Sequence, residues 1–340
     1  MKKLFALLLS AAPALLLAQN NQTPYKTQSF SAQSIRQVVS QTSGGNISVT
    51  GGSSEARVEV YVSGNNNQKY TTAELDNRFK EDYNLTVELK GNTLTASCTP
   101  KVKISNWKRS LSVSFKIFVG SETATELRTS GGNITITDLN GQQDFATSGG
   151  NLNLVGLTGN IKGRTSGGNI HISKSKDNID LSTSGGNIDA SSSSGTLKLG
   201  TSGGNIHLNQ LDGNVKATTS GGNIRSEDIK GDLDAHTSGG SVHINKIAGS
   251  LSASTSGGNI RATITDAGRF VKLRNSGGSI ELELPSGGYD LDLSGGKVKL
   301  GTVSNFSGKL EDDRVEGKLN GGGIPVDVRN SSGRVSVNIK

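Results

Sequence analysis

Three of the four histidines, His171, His207 and His243, fall at intervals of 36 residues, and Arg225 and Arg261 stand in the same series. Imidazoles at fixed spacing suggest two chemistries. Neutral rings ligate metals, and protonated rings join guanidinium groups in holding anions. Spacing decides between them. If 18 residues make one rung of a stack, successive histidines lie two rungs apart, ~9–10 Å. That is too far to share a zinc ion, whose bonds are near ~2 Å. The five residues therefore read as a basic file on a flat, solvent-facing surface, able to meet an acidic glycan or another anionic surface. Asp189, between His171 and His207 in the same series, reads as their ion-pair partner.

A second candidate surface is Lys101–Arg109, which holds the single tryptophan among four cations. Trp107, Lys108 and Arg109 could stack on and pair with a sugar or a membrane face. The same stretch also reads as a strand and loop with a solvated basic edge.

Catalytic constellations are weak by comparison. Glycosidic hydrolysis needs two carboxylates across a groove. The acids here are scattered about one per repeat, often opposite a cation. Glu311, Asp312 and Asp313 adjoin, but in an irregular stretch near the end. No Ser-His-Asp spacing or phosphate loop stands out. The Ser-Gly-Gly units recur too uniformly to be nucleophile elbows. Calcium-binding nonapeptides need a repeated acid where this chain carries Ile or Val. No metal, cofactor or enzymatic activity is expected.

These residues are positioned by a repeat. Ser-Gly-Gly-Asn, or a near variant, recurs every 18 residues from Ser130 to Ser256 without a slip. A fixed short period means one unit stacked on copies of itself, a solenoid. With the Thr of T-S-G-G-N as position 1, Thr201–Thr218 is a clean copy. Its apolar residues are Ile206, Leu208, Leu211, Val215 and Ala217, at positions 6, 8, 11, 15 and 17. Alternation at 6/8 and at 15/17 predicts two strands per coil. Position 1 continues the second alternation, so the Thr column is expected to point inward. Each coil is then two strands and two turns, giving two facing parallel sheets with a narrow core.

The turn glycines are Gly131, Gly132, Gly149, Gly150, Gly167, Gly168, Gly185, Gly186, Gly203, Gly204, Gly221 and Gly222. They are expected to allow positive φ and a reversal without a Cβ clash. The Asn column at position 5 is expected to stack as a ladder of side-chain amides at the ~4.8 Å strand spacing. Position 16 runs Asp144, Lys162, Asp180, Lys198, Lys216 and Asp234, which reads as register control by charge. The coil from Thr255 is two residues longer, placed as a bulge around Asp266 to Gly268.

The predicted organisation is a signal peptide over residues 1–18, a β-rich N-terminal capping region over 19–120, the solenoid over 121–305 and C-terminal capping coils over 306–340. The fold class is all-β: a parallel β-solenoid (β-helix) of about ten coils. The N-terminal cap contains one short helix from Thr72 to about Lys80, with Thr71 and Glu74 forming a capping box. A hairpin turns at Lys90-Gly91-Asn92.

Bulk properties agree with export and binding. Lys2 and Lys3, the apolar run Leu4 to Leu17, and Ala18 before Gln19 form a secretory pattern. No later segment is apolar enough over enough length to span a bilayer as a helix. The one cysteine, Cys98, cannot form an internal disulfide. The net charge is +7, or 7 − 2 = +5 without Lys2 and Lys3. It is interspersed, which argues against nucleic acid as a partner.

The secretory start, the T-S-G-G-N-I-x-I repeats, the early S-G-G-N copy ahead of a helix and the closing L-N-G-G-G…S-S-G-x-V-x-V segment carry a resemblance. Together they resemble the bacterial putative adhesin family, exported β-strand-repeat proteins related to the head (GIN) domain of auto-transporter-like adhesins. It covers roughly residues 30–340. The resemblance implies an exported, non-enzymatic β-solenoid of the cell envelope, a binder or scaffold, and supplies no binding residues. The Ala-Gln cleavage pattern also looks like that of Bacteroidetes-type Gram-negative bacteria. Two rival readings stay open: a carbohydrate-active enzyme (polysaccharide lyase or hydrolase) on the same scaffold, and a purely structural periplasmic protein.

Overall fold

The computed structural model describes residues 23–31, 34–64, 70–101 and 110–340. The proposed signal peptide lies outside the described residues. The described residues form an all-β stack of coils with one short helix. Along each coil, positions 6 and 8 are buried on one wall, and positions 15 and 17 on the other. Ile206, Leu208, Val215 and Ala217 are each at most 3% exposed. Equivalent residues pair in parallel at a constant 18-residue offset, for example Ile188↔Ile206 and Leu197↔Val215. The hydrophobic period of two therefore sets register, since a one-residue slip would turn each buried row outward.

The Thr column does point inward, and its hydroxyls have a defined task. Thr201 Oγ1 donates to the carbonyl oxygen of Gly186, in the coil below, at 2.8 Å. The same oxygen accepts from the backbone N–H of Gly204, in its own coil, at 3.2 Å. Thr147, Thr165, Thr183, Thr219 and Thr237 repeat the arrangement. Each turn is thus tied to the next by a buried, fully used hydroxyl.

The glycine pair meets half of the sequence expectation. None of the twelve turn glycines has positive φ. The second glycine of each pair is required by close approach. A Cβ on Gly186 would lie 2.0 Å from the carbonyl oxygen of Gly168, whereas the nearest atom to a Cβ on Gly185 is 3.6 Å away. Positive φ belongs to the opposite turn, at positions 10 and 13. Position 10 carries Asp138, Lys174, Ser192, Gln210, Asp228 and Lys246 in the left-handed region, and position 13 is mostly glycine.

The Asn ladder also differs in detail. The side-chain oxygen of each Asn accepts from the backbone N–H of the residue above, as Asn187 Oδ1 does from Asn205 at 2.8 Å and Asn223 Oδ1 from Ser241 at 2.8 Å. A direct amide–amide bond is seen at Asn223 and Asn205, at 3.4 Å. The backbone donor is fixed in place, so the side chain completes the ladder by accepting.

The helix spans Thr72–Glu81, and both bonds of the Thr71/Glu74 capping box are formed. The hairpin Tyr83–Lys90/Thr93–Pro100 turns at Gly91 and Asn92. The longer coil resolves as an insertion. Gly249 pairs with Ala267 and Leu251 with Val271, so Ser250 faces Gly268, Arg269 and Phe270.

At both ends the order of rungs departs from the order of the chain. The early copy enters the stack one rung in: Gln37–Thr42 lies between Thr93–Pro100 and Ala124–Thr129, and Ile47–Thr50 between Leu111–Phe118 and Ile134–Thr137. The last two strands do the same. Ile324–Asn330 inserts between Ile260–Asn275 and Tyr289–Ser294. Arg334–Ile339 inserts between Ile280–Leu284 and Lys297–Leu300. Antiparallel strands then cover the ends, with Ala56–Gly64 at one and Arg314–Leu319 with Phe306–Leu310 at the other.

Candidate binding face

Positions 5, 7 and 9 alternate with the buried positions 6 and 8, so they project outward from one wall. Strand pairing places position 7 in a continuous file: His171↔Asp189, Asp189↔His207, His207↔Arg225, Arg225↔His243, His243↔Arg261 and Arg261↔Glu281. Five predicted site residues are therefore neighbours in the folded chain. Trp107, Lys108 and Arg109 lie outside the described residues.

The file has two electrostatic halves. In the first, Asp189 serves both flanking imidazoles: His171 Nδ1 stands 3.1 Å from its Oδ2 and His207 Nδ1 3.0 Å from its Oδ1. In the second, Arg225, His243 and Arg261 stand on three successive rungs with no acid between them. Burial, then repulsion from Arg225 and Arg261, holds the His243 imidazole below its ordinary pKa. Among the described residues, Arg225 has no hydrogen bond or ion pair through its guanidinium.

Beyond Arg261 the face sinks into a trough. Its walls include Arg261, Glu281, Glu283, Lys299, Arg334 and Ser336, and a smaller basin sharing Arg261 and Glu281 extends it to His243. Lys299 and Arg334 were invisible to the sequence reading. They reach this place only because Arg334–Ile339 inserts one rung in, between Ile280–Leu284 and Lys297–Leu300, and no local pattern announces that crossing.

The carboxylates of the trough are engaged. Arg261 Nη2 is 2.6 Å from Glu281 Oε2, and Lys340 Nζ donates to Glu283 Oε2 at 2.6 Å. The bond from Lys340 chiefly holds the Glu283 carboxyl below the usual carboxylate range. A general acid requires the opposite shift. Among the described residues no three His, Cys, Asp or Glu side chains gather as a metal site. Cys98 is buried, and burial pushes its thiol up to about 12, so it is no nucleophile.

The opposite wall carries the alternating charges of position 16. Lys198 Nζ lies 3.5 Å from Asp180 Oδ2 and Lys216 Nζ 3.3 Å from Asp234 Oδ2. There, each of these cations has an acid on the adjacent rung.

The family model described as Toastrack DUF4097 matches residues 101–338. The chain belongs to this family. The Toastrack match spans the regular coils and the inserted C-terminal strands together. Among solved structures, a putative adhesin from Parabacteroides distasonis is 14% identical, with a TM-score of 0.33, over 93% of this chain and 96% of that one. A putative lipid binding protein from the same species is 12% identical, with a TM-score of 0.27, over 94% and 98%. A putative adhesin from Bacteroides fragilis is 13% identical, with a TM-score of 0.23, over 93% and 96%. Likeness at this level transfers no function. No curated protein matches the Toastrack chain. Among the described residues, no helix is long and apolar enough to cross a membrane.

Proposed function

We propose that this protein is an exported, non-enzymatic adhesin-like component of a bacterial cell envelope, binding a surface partner through the outward face of one wall. The observation that carries this reading is the face itself. A parallel stack fixes a row of side chains at ~4.8 Å intervals on a rigid surface, so many weak polar contacts add along its length. The paired carboxylates Glu281 and Glu283 support binding over hydrolysis, because each is already engaged by a cation, Arg261 and Lys340. Export is supported by the Lys2-Lys3 start and the apolar run that follows it.

The test is surface proteolysis of intact source cells, paired with adhesion of a deletion strain. Cleavage of the protein without lysis, together with reduced adhesion, is expected. Protection from protease until the outer layer is broken, with unchanged adhesion, overturns the reading in favour of an internal structural role.

A further inference from the structure

The stretch from Arg225 to Lys299 is charged in a way that folding does not account for. Like charges directly opposite each other on adjacent strands repel. Arg225, His243 and Arg261 nevertheless occupy successive rungs. Farther along, Lys299 and Arg334 line the trough. Among the described residues, neither their side chains nor that of Arg225 has a hydrogen bond or ion pair. On the opposite wall Lys198 also faces Lys216, but there each lysine has an acid on its other side, Asp180 and Asp234, whereas Arg225 has none.

From the geometry we infer that this trough, with the basic file leading into it, binds an extended acidic polysaccharide laid along the axis of the stack, its anionic groups meeting Arg225 on the file and Arg261, Lys299 and Arg334 in the trough. The inference deepens the binding reading above and rests on it. The register Arg225↔His243↔Arg261↔Glu281↔Ser336↔Lys299 makes six rungs, an axial run of ~24 Å at the usual strand spacing. That suits a linear chain of several sugar rings better than a compact ion. Polar groups that could bond hydroxyls, Ser336, Asn338, Ser279 and Thr263, line the same trough between the cations. The one exposed large apolar side chain among the described residues is Leu310, on the hairpin strand Phe306–Leu310 that pairs into the other wall. The trough is thus concave and polar, and with Glu281 and Glu283 paired to Arg261 and Lys340 its unpaired charges are cationic, which matches an acidic glycan and not the apolar interior of a bilayer.

The chemistry is shared by carboxylated and sulfated polymers, so both enter the test. Calorimetric titration of the full mature chain would use polygalacturonate, dextran sulfate and neutral dextran. The variant is Arg225→Ala/Lys299→Ala/Arg334→Ala. The control is Lys162→Ala/Lys198→Ala/Lys216→Ala on the opposite wall, which removes the same charge. All six side chains are exposed, and melting curves verify that both variants fold.

Binding of at least one acidic polymer, none of dextran, weakening with added salt, and at least tenfold loss in the trough variant but not in the control are expected. Binding of polygalacturonate alone assigns carboxylates, and of dextran sulfate alone assigns sulfates. Binding of neither, or equal loss in the control, overturns the inference. Capture by anionic phospholipid vesicles without polysaccharide binding overturns it in favour of a membrane. If surface display and adhesion persist in the source cells while the trough variant adheres like the wild type, this site falls and the envelope-binding reading stands.

Discussion

The missing Cβ of Gly186 would stand 2.0 Å from the carbonyl oxygen of Gly168, one rung below. The stack closes at this turn because the second glycine of each pair lets two backbones meet. Gly185, its neighbour, is exposed, and a Cβ there would make only ordinary van der Waals contacts, the nearest at 3.6 Å. Gly186→Ala is therefore expected to destabilise the fold by about 1–3 kcal/mol, the usual cost of forcing atoms into a packed site. Gly185→Ala is expected to stay within about 0.5 kcal/mol, as at ordinary surface positions. Thermal melts of the two single variants separate a close-approach role from a general need for flexible turns. Equal losses would refute it.

The buried threonines give a second test in the same corner. Thr201 donates to Gly186 and accepts from Gly204. Thr201→Val keeps the shape and removes both bonds, leaving two buried backbone groups unpaired. A loss of about 1–3 kcal/mol is expected. Thr201→Ser keeps the hydroxyl and should recover most of it. A valine variant as stable as the wild type would mean that water or relaxation satisfies those groups.

Asp177 is the exception at position 13. It has φ 77, where its partners in register, Gly159 and Gly195, have φ 110 and 108. A side chain in this region is strained, and glycine is not. Asp177→Gly should raise stability by about 1 kcal/mol, read as a higher melting temperature. No gain would indicate that the Asp177 side chain offsets the strain locally.

How much of this was legible in the sequence depends on what each residue reports. The two strands per coil could be read from Ile206, Leu208, Val215 and Ala217, because burial imposes a period of two. The inward Thr column followed from parity alone. The helix could be read from Thr71 and Glu74, because a capping box is local chemistry. The glycine pair was recognised as a turn that avoids a Cβ clash, which holds at the second glycine, but the positive φ also expected of it is absent. Close approach between coils depends on the neighbouring rung, and the sequence shows one rung at a time. The basic file of His207, Arg225, His243 and Arg261 was visible through the 18-residue series. Lys299 and Arg334 were not, because strand insertion puts them beside that file across a break in chain order. Asp189 between His171 and His207 followed from the same series, and the 3.0–3.1 Å contacts agree with it.

His243 makes a prediction about pH. Burial and the flanking Arg225 and Arg261 lower its pKa in the folded chain. The groups that face it are those two arginines, on the rungs either side. Glu227, beyond Arg225 on its strand, bonds Asn245, and Glu281 bonds Arg261. With the folded pKa below the unfolded one, the unfolded state binds the proton more readily. Stability from this group is therefore complete above the ordinary imidazole value and is lost as pH falls from there through the folded pKa. His243→Asn should flatten the fall in melting temperature between pH 7 and pH 5. An unchanged slope would show that other groups dominate acid destabilisation.

The inserted C-terminal strands make the last prediction. Ile324–Asn330 and Arg334–Ile339 each pair on both sides, and Val326, Val328, Val335 and Val337 are at most 1% exposed. Asn330 also takes over the bridging task of the Thr column, donating from Nδ2 to the carbonyl oxygen of Gly278 at 2.6 Å. Removing residues 320–340 would therefore empty a slot inside the stack, parting Ile280–Leu284 from Lys297–Leu300 and exposing strand edges that invite association. A chain ending at Leu319 is expected to aggregate or to form dimers by exchange of strands. A synthetic peptide of residues 320–340, added during refolding, should restore the monomer, because the slot is bounded on both sides by strands that the truncated chain still contains. If the truncated chain stays monomeric and melts like the full one, the strands are dispensable covers and the interlocked order of rungs contributes nothing to stability. If the peptide fails while full-length chain refolds alongside it, insertion must occur while the strands are still tethered. That result would place the closing step late in folding, after Tyr289–Ser294 and Lys297–Leu300 have already docked.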